Sequence, residues 1–272
     1  MTVSFEQSKI VVDLINTTYD MWKKGWDESN GGNISIILNE DNIDMLPSDK
    51  NSNFNEFNDI PENLIGKYIL ITASGSQFRT IKSRISTGIV EDIGVIRIKR
   101  EGYDVVWGFE NNHKPTSELY MHLLSHSTRL AQDNNHRVVV HNHANNATAF
   151  SHTVEPNDSA YTLPLWKILT ESIVVFPDGV GVLPWELPGT LNIGLKTAEK
   201  LKRCRIVVWT FHGILATGKN FQDCFGLIET VDKAAELYML TNNIRKFEGL
   251  TVDNIKEVCD TLGVNPREEI FL

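Results

Sequence analysis

Cysteine is scarce. Cys204, Cys224 and Cys259 are the only three in 272 residues, and none belongs to a C-x-x-C pair. An odd, dispersed set argues against a disulfide framework and points to a reducing, cytoplasmic compartment. Basic charge is also short: 26 Lys and Arg against 35 Asp and Glu leave a net charge of −9. That balance argues against nucleic-acid and membrane partners held over a broad face, though one phosphate can still sit on a few backbone N–H groups. No uninterrupted apolar run approaches the ~20 residues of a membrane span. Glu6 and Asp13 interrupt the first apolar stretch, so the N-terminus does not read as a signal peptide. H-E-x-x-H and G-x-S-x-G are both missing, which removes the best support for a metalloprotease or a serine hydrolase. Residues 213–219 fit G-x-x-x-x-G-K, but Asn220 occupies the Ser/Thr position that would ligate Mg²⁺, and the segment reads as a turn between strands. Gly179-Val180-Gly181 lacks the third glycine of a dinucleotide loop.

What remains is ordinary globular composition, 41% apolar and 22% charged. Residues 6–24 carry Ile10, Val11, Leu14, Ile15, Thr18, Met21 and Trp22 at helical spacing and stop at Gly25. A Gly/Asn loop (Asn30-Gly31-Gly32-Asn33) precedes a strand at 34–38, and the Asn/Asp/Ser-rich stretch 39–60 reads as a surface loop. Strands are expected at 68–73, 89–99 and 104–108, then a helix at 119–130 introduced by Pro115-Thr116-Ser117-Glu118. A buried strand, 137–140, runs into His141-Asn142-His143, with a helix at 144–151. Helix 163–170, strand 173–176, helix 190–204, strand 205–211 and two further helices complete the chain. This order predicts a single α/β domain over 1–272, its central sheet covered by helices.

His141 and His143 share one face of a strand, about 6.6 Å apart along it, a spacing from which two imidazoles can lean onto one ion. The pair alone is equally compatible with two hydrogen-bonded histidines at a sheet edge. His212, followed by Gly213, ends another apolar strand and would complete a His₃ set with an open position. By itself His212 reads as a satisfied core histidine. Glu118 in a first helical turn reads as a dipole-favoured charge, and His122 and His126 read as a packing face. Thr116-Ser117, Ser74-Gly75-Ser76 and Asn30-Gly31-Gly32-Asn33 each suit a phosphate monoester, and each is also what an ordinary turn contains.

Taken together these residues resemble class II rhamnulose-1-phosphate aldolases, of the aldolase, epimerase and adducin-head superfamily. The resemblance rests on residues 22–33 (Trp-Lys-Lys-Gly-Trp-Asp-Glu-Ser-Asn-Gly-Gly-Asn), Pro115-Thr116-Ser117-Glu118, His141-Asn142-His143, residues 176–181, residues 185–190 and Phe211-His212-Gly213. It implies a three-layer α/β/α domain around a mixed, largely antiparallel sheet, assembled as a C4 homotetramer. It implies a lyase of rhamnose metabolism that cleaves L-rhamnulose 1-phosphate to dihydroxyacetone phosphate and L-lactaldehyde through a zinc-stabilised enediolate. Carried over by position, one Zn²⁺ per subunit would be held by His141, His143 and His212. Glu118 would be the catalytic acid/base, and Asn30, Asn33, Ser74, Gly75, Thr116 and Ser117 would hold the substrate phosphate. Glu171 would reach the aldehyde end from a neighbouring subunit. The alternatives are a fuculose-phosphate aldolase, a ribulose-phosphate 4-epimerase or a non-catalytic adducin-like head. The last would be expected to lack the histidines or Glu118, and this chain keeps all four.

Overall fold

The computed structural model describes residues 4–47, 53–242 and 249–272. After a short 3-10 turn, helix α1 (Lys9–Lys23) buries Val11, Leu14, Ile15, Thr18 and Met21 along one stripe, the i, i+3, i+4, i+7 pattern read from its sequence. Among the described residues nine strands form one sheet: β1 (Asn33–Ile37), β2 (Asn53–Glu56), β3 (Tyr68–Thr72), β4 (Ile93–Lys99), β5 (Gly102–Gly108), β6 (Val138–Asn142), β7 (Gly181–Leu183), β8 (Ile206–Trp209) and β9 (Gly213–Gly218), in the order β2-β5-β4-β3-β1-β6-β9-β8-β7. Only β7–β8 is parallel; every other neighbouring pair is antiparallel. The expected mixed, largely antiparallel α/β architecture is therefore present.

Helices cover both faces. Besides α1, they are α2 (Glu40–Ile43), α3 (Phe78–Ser86), α4 (Leu119–Leu130), α5 (Asn145–Ser151), α6 (Asp158–Ile168), α7 (Thr170–Val175), α8 (Leu191–Leu201), α9 (Phe221–Asn242) and α10 (Val252–Leu262). Strand β6 shows how the layers are built. Val138 and Val140 join Leu14, Phe150, Trp166 and Val231 in one core. Val139 points the other way, into a core with Met121 of α4, Ile193 of α8 and Trp209 of β8. Successive side chains of a strand face opposite sides of the sheet, and a strand buried on both faces must be apolar on both. Fully burying one Val or Ile contributes about 1.5–3 kcal/mol, so three consecutive buried valines anchor β6 firmly in the sheet. The strand's last residues, His141 and Asn142, are thereby delivered to one end of the sheet.

Some expectations are corrected. Residues 173–176, read as a strand from Ile173-Val174-Val175, lie in helix α7 and the residue that ends it. Residues 213–218, read as a turn, are strand β9, hydrogen-bonded to both β6 and β8. The 39–60 stretch, read as loop, holds α2 and the edge strand β2, and its residues 48–52 lie outside the described residues. Helix α3 was not anticipated, because among its nine residues only Phe78 and Ile81 are buried. Helix α6 starts at Asp158, five residues before the expected 163, because Asn157 caps it by accepting from Ala160 N at 2.8 Å.

Candidate active site

Antiparallel pairing brings five chain segments to one end of the sheet. Asn33, the first residue of β1, stands opposite His141 of β6. Ala73, just past β3, bridges to Pro115, and Thr116 N donates to Thr72 O at 3.0 Å. The turn between β8 and β9 supplies His212, whose N donates to Trp209 O at 3.0 Å. Phe211 within that turn takes φ +64, the left-handed region that a bulky residue rarely adopts. Strain of this kind, on the order of 1–3 kcal/mol, persists where surrounding structure enforces it and is common at functional sites.

The three histidines converge. His141, His143 and His212 each present a ligand nitrogen, and these atoms all lie within 4.8 Å of one another. His141 is buried and the other two are half-buried. The Nδ1–H of His141 donates to the Ile214 carbonyl at 3.0 Å. His143 Nδ1 lies 2.6 Å from Glu28 Oε1, and because a carboxylate accepts, that nitrogen also carries a hydrogen. His141 Nε2, His143 Nε2 and His212 Nδ1 are all buried without a hydrogen-bond partner. Burial first, then the His143 ring, holds the His141 imidazole well below its ordinary pKa. Burial, reinforced by His141 and opposed by Glu118, pushes His212 down to about 3. Such a set of unpartnered imidazole nitrogens fits a divalent metal ion, and the outer partners on Nδ1 of His141 and His143 are those that orient metal-binding histidines.

Two glycines make room for this arrangement. A Cβ on Gly31 would stand 2.6 Å from His143 Nδ1, and one on Gly213 would stand 2.8 Å from His143 Cδ2 and 3.0 Å from His141 Cε1. Trp209 backs the cluster, its ring 4.6 Å from that of His141 and 5.0 Å from that of His212. Its Nε1–H donates to Thr197 Oγ1 at 2.9 Å, which fixes the indole.

Glu118 occupies the N-cap position of α4 and is buried, with Oε2 3.7 Å from His141 Nε2. Asn33 Nδ2 donates to that same Oε2 at 2.9 Å. A cavity of about 430 Å³ opens above it, lined by Asn30, Asn33, Ser74, Gly75, Thr116, Ser117, Glu118, His143 and His212 among others. All six residues expected at a phosphate therefore meet in one cleft beside the histidines. Glu171 does not line it; it is exposed in the first turn of α7. Asp27 anchors the 27–33 loop from below, accepting from Gly32 N at 2.9 Å. Desolvation outweighs that bond and raises its carboxyl to about 6.

Comparison with known proteins places the chain in a family. The profile of the class II aldolase and adducin N-terminal domain matches residues 12–239. The chain belongs to this family. Among its class II aldolase relatives, a rhamnulose-1-phosphate aldolase of Enterococcus faecalis is 43% identical over 271 residues, covering 96% of this chain and 94% of the relative. One from Listeria innocua is 37% identical over 282 residues, with 98% of each chain covered. Among solved structures, a sugar-phosphate aldolase from Thermotoga maritima superposes with a TM-score of 0.71 at 30% identity, over 86% of this chain and 95% of that one. An L-fuculose 1-phosphate aldolase superposes with a TM-score of 0.62 at 23% identity, covering 94% and 97%, and shares the fold.

Several residues in and around this candidate site escaped the sequence reading. Glu28 lies within the Gly-Trp-Asp-Glu stretch noted above, but nothing local says that its partner is His143, 115 residues away. Trp209 was read only as part of an apolar strand. His122 and His126, read as a packing face, carry a buried polar chain instead.

Proposed function

We propose that this chain is a metal-dependent lyase that reversibly cleaves L-rhamnulose 1-phosphate to dihydroxyacetone phosphate and L-lactaldehyde. One observation carries the reading: three unpartnered imidazole nitrogens gather within 4.8 Å of one another, and two of their histidines, His143 and His212, line one cleft with Glu118 and the phosphate-type loops. The names of the relatives supply the substrate.

His141, His143 and His212 would hold the metal, and His₃ ligation with an open position suits Zn²⁺. Bound there, the ion supplies a Lewis acid for the negative charge that develops when the sugar's C3–C4 bond breaks. The chain's own residues do the rest. Asn30, Asn33, Ser74, Gly75, Thr116 and Ser117 hold the phosphate through side-chain groups and loop N–H donors, so remote binding energy fixes the sugar against the reacting bond. In cleavage, the C4 hydroxyl passes its proton to solvent water as sugar C4 becomes the aldehyde carbon of lactaldehyde, the electron pair of the broken bond stays on C3, and Glu118 takes up a proton from solvent in exchange. Glu118 delivers a proton to C3 and removes it in the reverse direction, a contribution of ~10²–10⁴-fold. Glu171, exposed on α7, is assigned to the aldehyde end of a neighbouring subunit's cleft, in a C4 homotetramer.

Residues 1–272 are read as one class II aldolase domain. No helix among the described residues is long and apolar enough to cross a membrane. The three cysteines are free and buried, which suits a cytoplasmic enzyme. Nucleic acid and membrane are not assigned as partners.

The test follows dihydroxyacetone phosphate by coupled reduction, with L-rhamnulose 1-phosphate and L-fuculose 1-phosphate offered in parallel, and follows xylulose 5-phosphate in a separate assay with L-ribulose 5-phosphate. A kcat/KM at least tenfold higher for the rhamnulose ester supports the reading. Preference for either other ester overturns the substrate and points to the fuculose-phosphate aldolase or 4-epimerase alternative.

A further inference from the structure

Behind Glu118 a line of polar side chains runs into the space between α4 and the sheet. Asn33 Nδ2 donates to Glu118 Oε2 at 2.9 Å, and Asn33 Oδ1 lies 2.7 Å from His122 Nε2. His122 Nδ1 is 2.6 Å from Ser35 Oγ, which is also 2.8 Å from His126 Nε2. The line ends there, since His126 Nδ1 is buried with no hydrogen-bond partner. Ser35 and His122 are fully buried and His126 is 1% exposed. Leucines at 122 and 126 would fill a helix–sheet interface at no polar cost, whereas buried polar groups must each be satisfied.

The partners permit one direction of donation. A carboxylate only accepts, so Asn33 must show it the amide N–H, which turns Oδ1 toward His122. Oδ1 only accepts, so His122 carries its hydrogen on Nε2 and leaves Nδ1 bare. Ser35 O–H then donates to Nδ1, and Ser35 Oγ accepts from His126 Nε2–H. His126 Nδ1 is left as a bare lone pair. The reverse direction would put an N–H there, a buried donor with no acceptor, which is the costlier defect. Burial holds both imidazoles uncharged, His122 well below its ordinary pKa and His126 at about 3, so neither carries the second hydrogen that would break this logic.

We propose that Ser35, His122 and His126 are positioning residues: their one-way hydrogen-bond chain orients the Asn33 amide and, through it, holds the Glu118 carboxylate in place for proton transfer at C3. This rests on the aldolase reading for its chemistry, but the chain itself does not depend on it. None of the three residues lines the cleft. They act through Asn33, which reaches both the cleft and the chain.

Two experiments separate the possibilities. Solid-state ¹⁵N spectra of histidine-labelled, zinc-loaded protein should show His122 and His126 both protonated on Nε2 and bare on Nδ1, assigned by loss of signals in H122Q and H126Q. A Nδ1–H tautomer or an imidazolium at either residue overturns the chain, whatever the substrate. In the cleavage assay, Ser35→Ala should lower kcat at least tenfold, leaving KM within threefold and zinc content unchanged. In a Glu118→Gln background the same change should alter kcat less than twofold, since there is no longer a carboxylate to position. His126→Leu should behave like Ser35→Ala if the latter does not fold, and His126→Gln, whose amide can still donate to Ser35, should recover kcat to within threefold of wild type. A kcat within twofold of wild type in Ser35→Ala or His126→Leu, or full additivity with Glu118→Gln, overturns the positioning role. No cleavage of any ester by the wild type would instead overturn the proposed function, and the tautomers, read without substrate, would still decide the chain.

Discussion

Replacing Gly31 by alanine adds one carbon atom directly behind a proposed metal ligand. That carbon would stand 2.6 Å from His143 Nδ1 and 2.7 Å from His143 Cε1. Ordinary contact begins near 3.5 Å, so either the ring or the loop must move by about 1 Å. The loop is poorly placed to give. Gly32 N donates to Asp27 Oδ1 at 2.9 Å, and Gly32 already packs so closely on Phe78 that a Cβ there would meet its ring at 2.7 Å. The imidazole, half-buried and held by the exposed Glu28 carboxylate, is the softer partner. Metal–ligand distances tolerate only about 0.2 Å, so the displaced ring leaves two histidines where there were three. Loss of an outer partner alone costs about 10–100-fold in metal affinity. Displacing the ligand itself should cost at least the upper end, about a hundredfold in Zn²⁺ affinity, with activity lost in step. Competition with a chelating dye reads the affinity, and circular dichroism of the metal-free protein should be unchanged. Wild-type affinity in Gly31→Ala would refute both the ligand assignment and the packing argument.

Three further outcomes are expected. Glu118→Gln should lower turnover at least a hundredfold with zinc content near normal by elemental analysis; turnover within threefold of wild type would remove Glu118 from its role. His212→Ala should lose metal and activity together, and full occupancy in that variant would mean that the third ligand lies elsewhere. Asp27→Asn should stabilise the metal-free protein above pH 6. Burial raises the Asp27 carboxyl to about 6 in the fold, so between the unfolded value near 4 and 6 the native state binds more protons and stability falls as pH rises. The advantage of the variant should be on the order of 2 kcal/mol at pH 8 and vanish near pH 4 in denaturant titrations. A difference that stays constant across that range would contradict the assignment.

Local patterns located the elements whose burial is periodic. Helix α4 runs over Leu119–Leu130 as read, and α1 buries Val11, Leu14, Ile15, Thr18 and Met21 of the residues its spacing names, leaving Ile10 half-buried and Trp22 exposed. Where tertiary context decides, local reading fails. Ile173-Val174-Val175 has the composition of a strand, yet in α7 it packs as a helix between α6 and α9, overriding a weak intrinsic preference. Residues 213–218 become a strand because β6 and β8 flank them, and β6 lies some 70 residues away in sequence. The same distinction divides the site. His141, His143, His212 and Glu118 stand in short motifs that are ambiguous singly and that the family resemblance, taken over all of them, marks as one site. The groups that orient them, Glu28, the Ile214 carbonyl and Asn33, meet them only through the fold. His122 and His126 carried the right spacing for one helix face, but Ser35, which turns that face into a hydrogen-bond chain, lies on a strand far back in the sequence.

The central claim is that three histidines hold the ion on which cleavage depends. The most direct test strips the protein with a chelator, returns Zn²⁺ in measured steps and follows L-rhamnulose 1-phosphate cleavage against bound metal. Activity that is absent in the stripped protein and rises in proportion to occupancy, saturating at one ion per chain, is the predicted result. Full activity in protein shown to be metal-free, or saturation with no gain in cleavage, would contradict the account.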